Sequence, residues 1–180
     1  MKKYEMLENI RAHSIVVAKI SHILACALRD GGIVVSIDRT VAGALMHDIG
    51  KTEALTSGGD HTSIGRRICL ENNLTGIVDI VEEHVRLKSW DVDGKYGEKE
   101  IVYYADKRVN HDKVVTLDER MNYILKRYGG NEEELHRRIR KTFEFCKQIE
   151  DRLFSRLTFS PDSLSQLVAK RRSLFSGISS

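Results

Sequence analysis

Four histidines and two aspartates of this 180-residue sequence lie on apolar stripes that have the spacing of helices. A residue on such a stripe faces the core, where an ionisable side chain without a partner is costly to bury. His13, for example, follows Ile10 by three positions and precedes Val17 by four. The six residues are His13, His47, Asp48, His61, His84 and Asp106.

Each of these six residues alone has an ordinary explanation, as a hydrogen-bonded core histidine or as a polar contact between helices. Six together exceed what pairwise hydrogen bonds satisfy in a small core, whereas a divalent cation neutralises carboxylates and accepts neutral imidazoles. Imidazole with carboxylate and no thiolate favours Fe, Mn, Ni, Co or Zn, and six ligands exceed the four of tetrahedral zinc. We therefore expect one or two divalent transition metal ions, with Asp48 as the bridge if there are two.

Four of the six residues form a pattern that resembles a known family. His13, the pair His47-Asp48 within LMHDIGK and Asp106 within YYADKRV are similar to the H…HD…D pattern of the HD-domain (HDIG) superfamily of metal-dependent phosphohydrolases. The likeness covers about residues 8–112. It implies an all-α fold and one metal held by these four residues.

The other two histidines extend the resemblance to members with two metals. His61 and His84 are similar to the extra histidines of dinuclear members, such as the HD-type symmetrical diadenosine tetraphosphate hydrolases. Carried over, the second metal would take Asp48, His61 and His84. His84 is followed by VRLKSWDVDGKYG, which lacks the paired His and the G-Y-P signature of the cyclic-di-GMP phosphodiesterase branch.

The resemblance implies hydrolysis of a phosphate ester or anhydride, with a nucleotide as the substrate class and a metal-bound hydroxide as the nucleophile. Asp48 and Lys51 are the predicted catalytic residues. Lys51, Arg66 and Lys107 are the predicted contacts to the substrate phosphate, and Arg108 is a further basic candidate. The choice between a phosphomonoesterase and a phosphodiesterase or pyrophosphohydrolase stays open.

Two further functions share these ligands and also stay open. One is an HD-type di-iron oxygenase, which uses the same six-ligand set to oxidise a substrate with O₂. The other is a non-catalytic nucleotide-binding module. A second His-Asp pair, His111-Asp112, has no apolar lead-in, so we expect it to lie outside the metal shell.

The composition predicts an all-α protein. A single proline among 180 residues leaves long helices uninterrupted, and apolar residues recur at helical spacing almost throughout. We expect one compact HD-domain-like bundle of about seven helices over 1–180, with the metal-site core at about 8–112 and a C-terminal helical extension at about 116–180. Those C-terminal helices leave a homodimer open.

Capping residues and glycines predict where individual helices begin and end. Helices are expected over about 4–29, 36–50 and 98–110, with a loop over 89–97, and two helices over 131–157 and 160–175 end the chain.

Net charge, cysteine spacing and hydropathy argue against a nucleic-acid-binding, disulfide-bonded or membrane protein. The 29 Lys+Arg against 26 Asp+Glu give a net charge of +3, which is no strong sign of nucleic-acid binding. The three cysteines lack CxxC spacing, which predicts free thiols. No apolar run approaches the ~20 residues that span a bilayer, so we expect no membrane partner and a cytoplasmic location.

Overall fold

The computed structural model describes residues 1–90, 96–130 and 132–171, and these ranges are largely helical. Among them, the α-helices are α1 (Glu8–Asp30), α2 (Ile37–Met46), α3 (Lys51–Ser57), α4 (His61–Glu71), α5 (Val78–Glu83), α6 (Glu98–Lys107), α7 (Leu117–Tyr128), α8 (Glu133–Phe154) and α9 (Leu164–Lys170). The strands β1 (Val109–Asn110) and β2 (Lys113–Val114) form a short antiparallel hairpin. The all-α prediction is therefore confirmed.

Helix α1 lies at the centre of the core. It packs against α2, α6 and α9, and its side chains Val17, Ile20 and Leu24 are fully buried. By length and composition alone α1 could also cross a membrane, although charged residues such as Lys19 interrupt its apolar stretch. However, 56% of its apolar stretch is already buried against the rest of the chain, as in a core helix.

The segment between α1 and α4 differs from the single helix predicted over 36–50. Ser36 caps α2 as expected, since its hydroxyl oxygen accepts the Arg39 N–H at 3.2 Å. The helix ends at Met46, and α3 begins at Lys51 after a turn. The sequence did not indicate α3, because none of its residues is buried and it therefore has no apolar stripe.

The end of α6 also differs from the prediction. The helix expected over 98–110 stops at Lys107, and the hairpin follows, with Val109 pairing with Val114. The Arg108 guanidinium is buried here, and it donates to the Val115 carbonyl at 2.6 Å and to Glu150 at 2.8 Å. It ties the C-terminal helices to the core rather than facing a substrate.

Of the C-terminal helices, α8 packs on α6 and α7, and α9 packs on α1. The capping box that begins α7 is present, since Thr116 and Glu119 exchange side-chain-to-backbone bonds. Helix α8 buries the predicted stripe through Phe143, Cys146 and Ile149. Residues 91–95 of the expected loop, the expected helix start at Asn131 and the end of the last helix beyond Arg171 lie outside the described residues. All three cysteines are free.

Candidate metal centre

All six residues selected from the apolar stripes converge at one place. His13 lies in the interior of α1, and the other five residues lie at helix ends. His47 and Asp48 follow α2, and His61 begins α4. His84 follows α5, and Asp106 is in the last turn of α6. Their ligand atoms form two clusters that share Asp48.

The first cluster contains His13, His47, Asp48 and Asp106. His13 Nε2 lies 2.9 Å from Asp106 Oδ1, and His47 Nε2 lies 3.7 Å from the same oxygen. Asp48 Oδ2 is 3.5 Å from His47 Nε2. Ligand atoms of His13, His47 and Asp48 all lie within 4.8 Å of one another, a spacing that can hold a metal ion.

The second cluster contains Asp48, His61 and His84. The other oxygen of Asp48, Oδ1, lies 3.6 Å from His61 Nε2 and 3.4 Å from His84 Nε2. The two Nε2 atoms are 3.3 Å apart. Asp48 is only 2% exposed, and each of its oxygens faces a different set of imidazoles. This is the geometry of a carboxylate that can bridge two cations.

Backbone carbonyls fix the orientation of three of these imidazoles. The Nδ1 atoms of His13, His47 and His84 lie 2.7–2.9 Å from the carbonyl oxygens of His111, Ala44 and Val81. Because a carbonyl only accepts hydrogen bonds, Nδ1 is the donor in each of these rings, and Nε2 is the nitrogen that faces the centre.

His47 Nε2 tests whether the residues fit a metal. It is buried and has no hydrogen-bond partner among the described residues. A buried nitrogen lone pair without a donor is costly, and a cation bound to Asp48 would satisfy it. The donor set of imidazole and carboxylate therefore fits a divalent transition metal.

Electrostatics keep the carboxylates charged and two imidazoles neutral. Although burial opposes it, His47, His84 and Lys51 hold the pKa of Asp48 well below its usual range, and Lys107 contributes similarly to the low pKa of Asp106. Burial lowers the pKa of both His61 and His84. Metal ions bind carboxylate anions and neutral imidazoles, so these protonation states are those of ligands.

His47 is the exception among the imidazoles. Burial lowers its pKa, but the nearby carboxylates of Asp48 and Asp106 outweigh that effect and raise it. A bound cation would interact with the same two carboxylates and would compete with a proton for the His47 Nε2 lone pair.

The three predicted phosphate contacts lie in different surroundings. The Lys51 ammonium is 2.9 Å from Asp48 Oδ2, and its side chain is 44% exposed. Arg66 is on the outer part of α4, 3.6 Å from Glu82. Lys107 is buried, and its ammonium donates to the His84 carbonyl at 2.9 Å and to Asp106 Oδ2 at 3.3 Å. Lys107 thus positions two candidate ligands.

Sequence reasoning missed one basic residue at the centre, Arg120 of α7. It lines a cavity together with Asp106 and Lys107, and its Nε atom is buried without a hydrogen-bond partner among the described residues. The criterion that selected the six ligands would also have selected Arg120. It follows Leu117 by three positions and precedes Ile124 by four, on the face that packs on the core.

The second His-Asp pair forms the turn of the hairpin. The side chains of His111 and Asp112 are exposed, and neither belongs to a described metal-ligand cluster. The His111 backbone nevertheless contributes, since its carbonyl accepts from His13 Nδ1 at 2.9 Å.

Known proteins resemble the chain around this centre. Residues 10–111, which contain all six candidate ligands, match the family model described as HD domain. An uncharacterized protein of Methanocaldococcus jannaschii is 28% identical over 145 residues, which are 73% of this chain and 85% of that protein. A tRNA (cytidine(56)-2'-O)-methyltransferase of Picrophilus torridus is 28% identical over 158 residues, 80% of this chain but only 45% of the methyltransferase. No solved structure matches the chain.

Proposed function

This chain belongs to the HD-domain family of metal-dependent hydrolases, and from that premise we propose that it cleaves a phosphate ester or anhydride of a nucleotide. The observation that carries the proposal is the position of Asp48 between the two clusters. Oδ2 is 3.5 Å from His47, whereas Oδ1 is 3.4 Å from His84. Two-metal phosphoryl-transfer sites rely on ligands placed in this way.

The side chains around the centre have separate parts in this reaction. Bound divalent ions would lower the pKa of a coordinated water to about 7 and stabilise charge on the phosphoryl oxygens. Lys51 can contact a phosphoryl oxygen from the solvent side, because nearly half of its side chain is exposed. Arg120 adds a second positive group from α7, beside Asp106. Both cations would stabilise the negative charge that builds up in the transition state.

The relative that modifies tRNA supports RNA as one carrier of the nucleotide phosphate. That methyltransferase is named for an activity on tRNA, and most of this chain aligns with less than half of it. A terminal or internal phosphate of an RNA strand is chemically a nucleotide ester. We therefore include RNA, beside free nucleotides, in the proposed substrate class.

Metal analysis followed by a phosphate-release screen tests the proposed function. We expect freshly purified protein to contain up to two transition metal ions per chain and to hydrolyse at least one nucleotide, dinucleoside polyphosphate or phosphorylated oligonucleotide. Chelation should abolish that activity, and re-addition of the metal should restore it. Iron-dependent O₂ uptake without phosphate release would instead identify a di-iron oxygenase, and metal-independent nucleotide binding without turnover would identify a binding module.

Replacing Lys51 by alanine should weaken turnover without removing metal. The lysine contacts Asp48 but offers no lone pair to a cation while it is protonated, and Asp48 raises its pKa. We expect kcat/KM to fall about 10–100-fold, as for loss of one charged contact worth about 1.5–3 kcal/mol, with unchanged metal content.

The matched control for this variant is Lys147→Ala. Lys147 also pairs with an aspartate, Asp118, at 2.7 Å, but that pair lies between α7 and α8 on the surface. Its removal should leave kcat/KM unchanged. Metal loss in Lys51→Ala, or equal effects of the two variants, would contradict the role of Lys51.

A further inference from the structure

A surface depression leads away from the metal centre between residues 85–87 and α8, and we propose that it binds a single-stranded RNA segment next to the phosphate that is cleaved. This inference rests on the proposed function and specifies its substrate. We call the depression the α8 trough. It is lined by Val85, Arg86, Leu87, Arg138, Lys141 and Thr142.

The α8 trough adjoins a cavity at the metal centre. A cavity of about 190 Å³ lies against Asp106, Lys107 and Arg120, and the trough itself encloses about 530 Å³. Val85 and Thr142 line both spaces, so they adjoin. A ligand that contacts Asp106 would therefore extend past Val85 and Thr142 to reach the trough.

Size indicates that the ligand extends into the trough. Small-molecule sites typically enclose about 300–1,000 Å³, so the cavity of about 190 Å³ at Asp106 is too small for a whole nucleotide. The trough provides the missing volume. The adjoining spaces thus suit a ligand longer than the group that reaches the metals.

Charge indicates that the extension is anionic. Arg86, Arg138 and Lys141 are exposed, and none of them makes an ion pair among the residues that the structure describes. By contrast, some surface cations of the chain are paired with a carboxylate, such as Arg67 with Glu53 at 2.7 Å. Three positive groups beyond the cleaved phosphate match a ligand with further phosphates, which a mononucleotide lacks.

Aromatic and apolar groups line the same trough. Phe145 is half-buried in its wall, in edge contact with Tyr103, and Val85 is 46% exposed at the boundary with the smaller cavity. Single-stranded nucleic acids bind to grooves that combine basic residues along the backbone with apolar or aromatic surfaces for the bases. The trough has both, which favours RNA over a simple polyphosphate.

Binding of a short fluorescein-labelled single-stranded RNA to the metal-loaded protein tests this proposal. We expect fluorescence anisotropy to report binding that weakens about tenfold or more in the double variant Arg138→Ala/Lys141→Ala. The slope of log affinity against log salt should become shallower by about 1.4, since each phosphate contact to a single strand contributes about 0.7. Metal content and melting temperature should equal those of the unaltered protein.

The matched control is Arg137→Ala/Arg140→Ala. It removes two arginines from the same helix that do not line the trough, so affinity and salt slope should stay unchanged. Equal weakening by both double variants would overturn the proposal, because it would show a nonspecific effect of net charge. Absence of RNA binding by the unaltered protein would overturn it as well.

The binding assay separates this inference from the proposed function. If RNA binding depends on Arg138 and Lys141 but no nucleotide releases phosphate, the proposed hydrolase activity is refuted and the proposed RNA site is retained. If the protein hydrolyses free nucleotides but does not bind RNA, the proposed RNA site is refuted and the hydrolase activity is retained. Competition by an excess of inorganic tripolyphosphate as strong as that by unlabelled RNA would show that the trough recognises polyphosphate alone, which contradicts RNA.

Discussion

Replacing Asp48 by asparagine is expected to abolish hydrolysis and to lower the metal content of the protein. Asp48 is the only residue shared by the two described clusters, and it is 2% exposed. Asparagine keeps its size but removes the negative charge and one good oxygen donor. Two cations about 3.5–4 Å apart would then repel each other with less compensation. At least one of them should dissociate.

Asp112→Asn is the control for this variant, because it makes the same change in the other His-Asp pair. Asp112 is exposed in the hairpin turn, so its loss should alter neither metal content nor rate. The measurements are metal analysis of the dialysed proteins and initial rates of phosphate release. Full metal content and near-normal rates in Asp48→Asn would show that Asp48 does not bridge two metals.

The convergence of six ligands could be predicted because a buried charge on an apolar stripe needs a partner. His13, His84 and Asp106 each lie on such a stripe, and the structure places all three within the clusters. Periodicity alone indicated which face of each helix was buried. Since the faces that carry ionisable groups must meet to neutralise one another, the site could be inferred without the tertiary structure.

Features that depend on backbone geometry could not be predicted in the same way. The β1–β2 hairpin has two residues per strand, and His111 in its turn has a φ of +55°, a conformation for which the NHD sequence gives no strong signal. The contact of the His111 carbonyl with His13 therefore did not follow from the sequence. Helix α3 was not predicted for another reason: it has no buried face and therefore no apolar stripe.

The α8 trough could not be predicted from the net charge of the whole chain. A net charge of +3 sums basic and acidic residues wherever they lie, and α8 itself begins with Glu133 and Glu134. Only the packing of α8 beside 85–87 brings Arg138 and Lys141 into one depression with Arg86. Overall charge gives no information about such a local surface.

Gly50 of the HDIGK segment should be the most sensitive glycine of the centre. A Cβ atom there would lie 2.3 Å from the His61 carbonyl oxygen and 2.6 Å from the Gly65 nitrogen. Both neighbours are backbone atoms, which no rotamer change can move. Gly50→Ala must therefore displace the start of α4, and with it His61, away from Asp48.

We expect two measurable results from Gly50→Ala. Overpacking of this kind lowers the free energy of unfolding by about 1–3 kcal/mol, which thermal denaturation can measure. Displacement of His61 should also weaken the second cluster, so that metal analysis finds at most one tightly bound ion. A misplacement of about 1 Å at a catalytic centre can reduce the rate about 100-fold, and we expect a loss of that order.

Gly76→Ala is the matched control, because a Cβ at Gly76 meets nothing within 4 Å and its φ is not in the left-handed region. Stability, metal content and rate should all stay near those of the unaltered protein. His61→Ala distinguishes the two effects of Gly50→Ala, since it removes the ligand without forcing α4 from its place. If both variants lose one metal but only Gly50→Ala is strongly destabilised, the glycine acts by allowing α4 to approach. A Gly50→Ala protein with unchanged stability and full metal content would contradict that close contact.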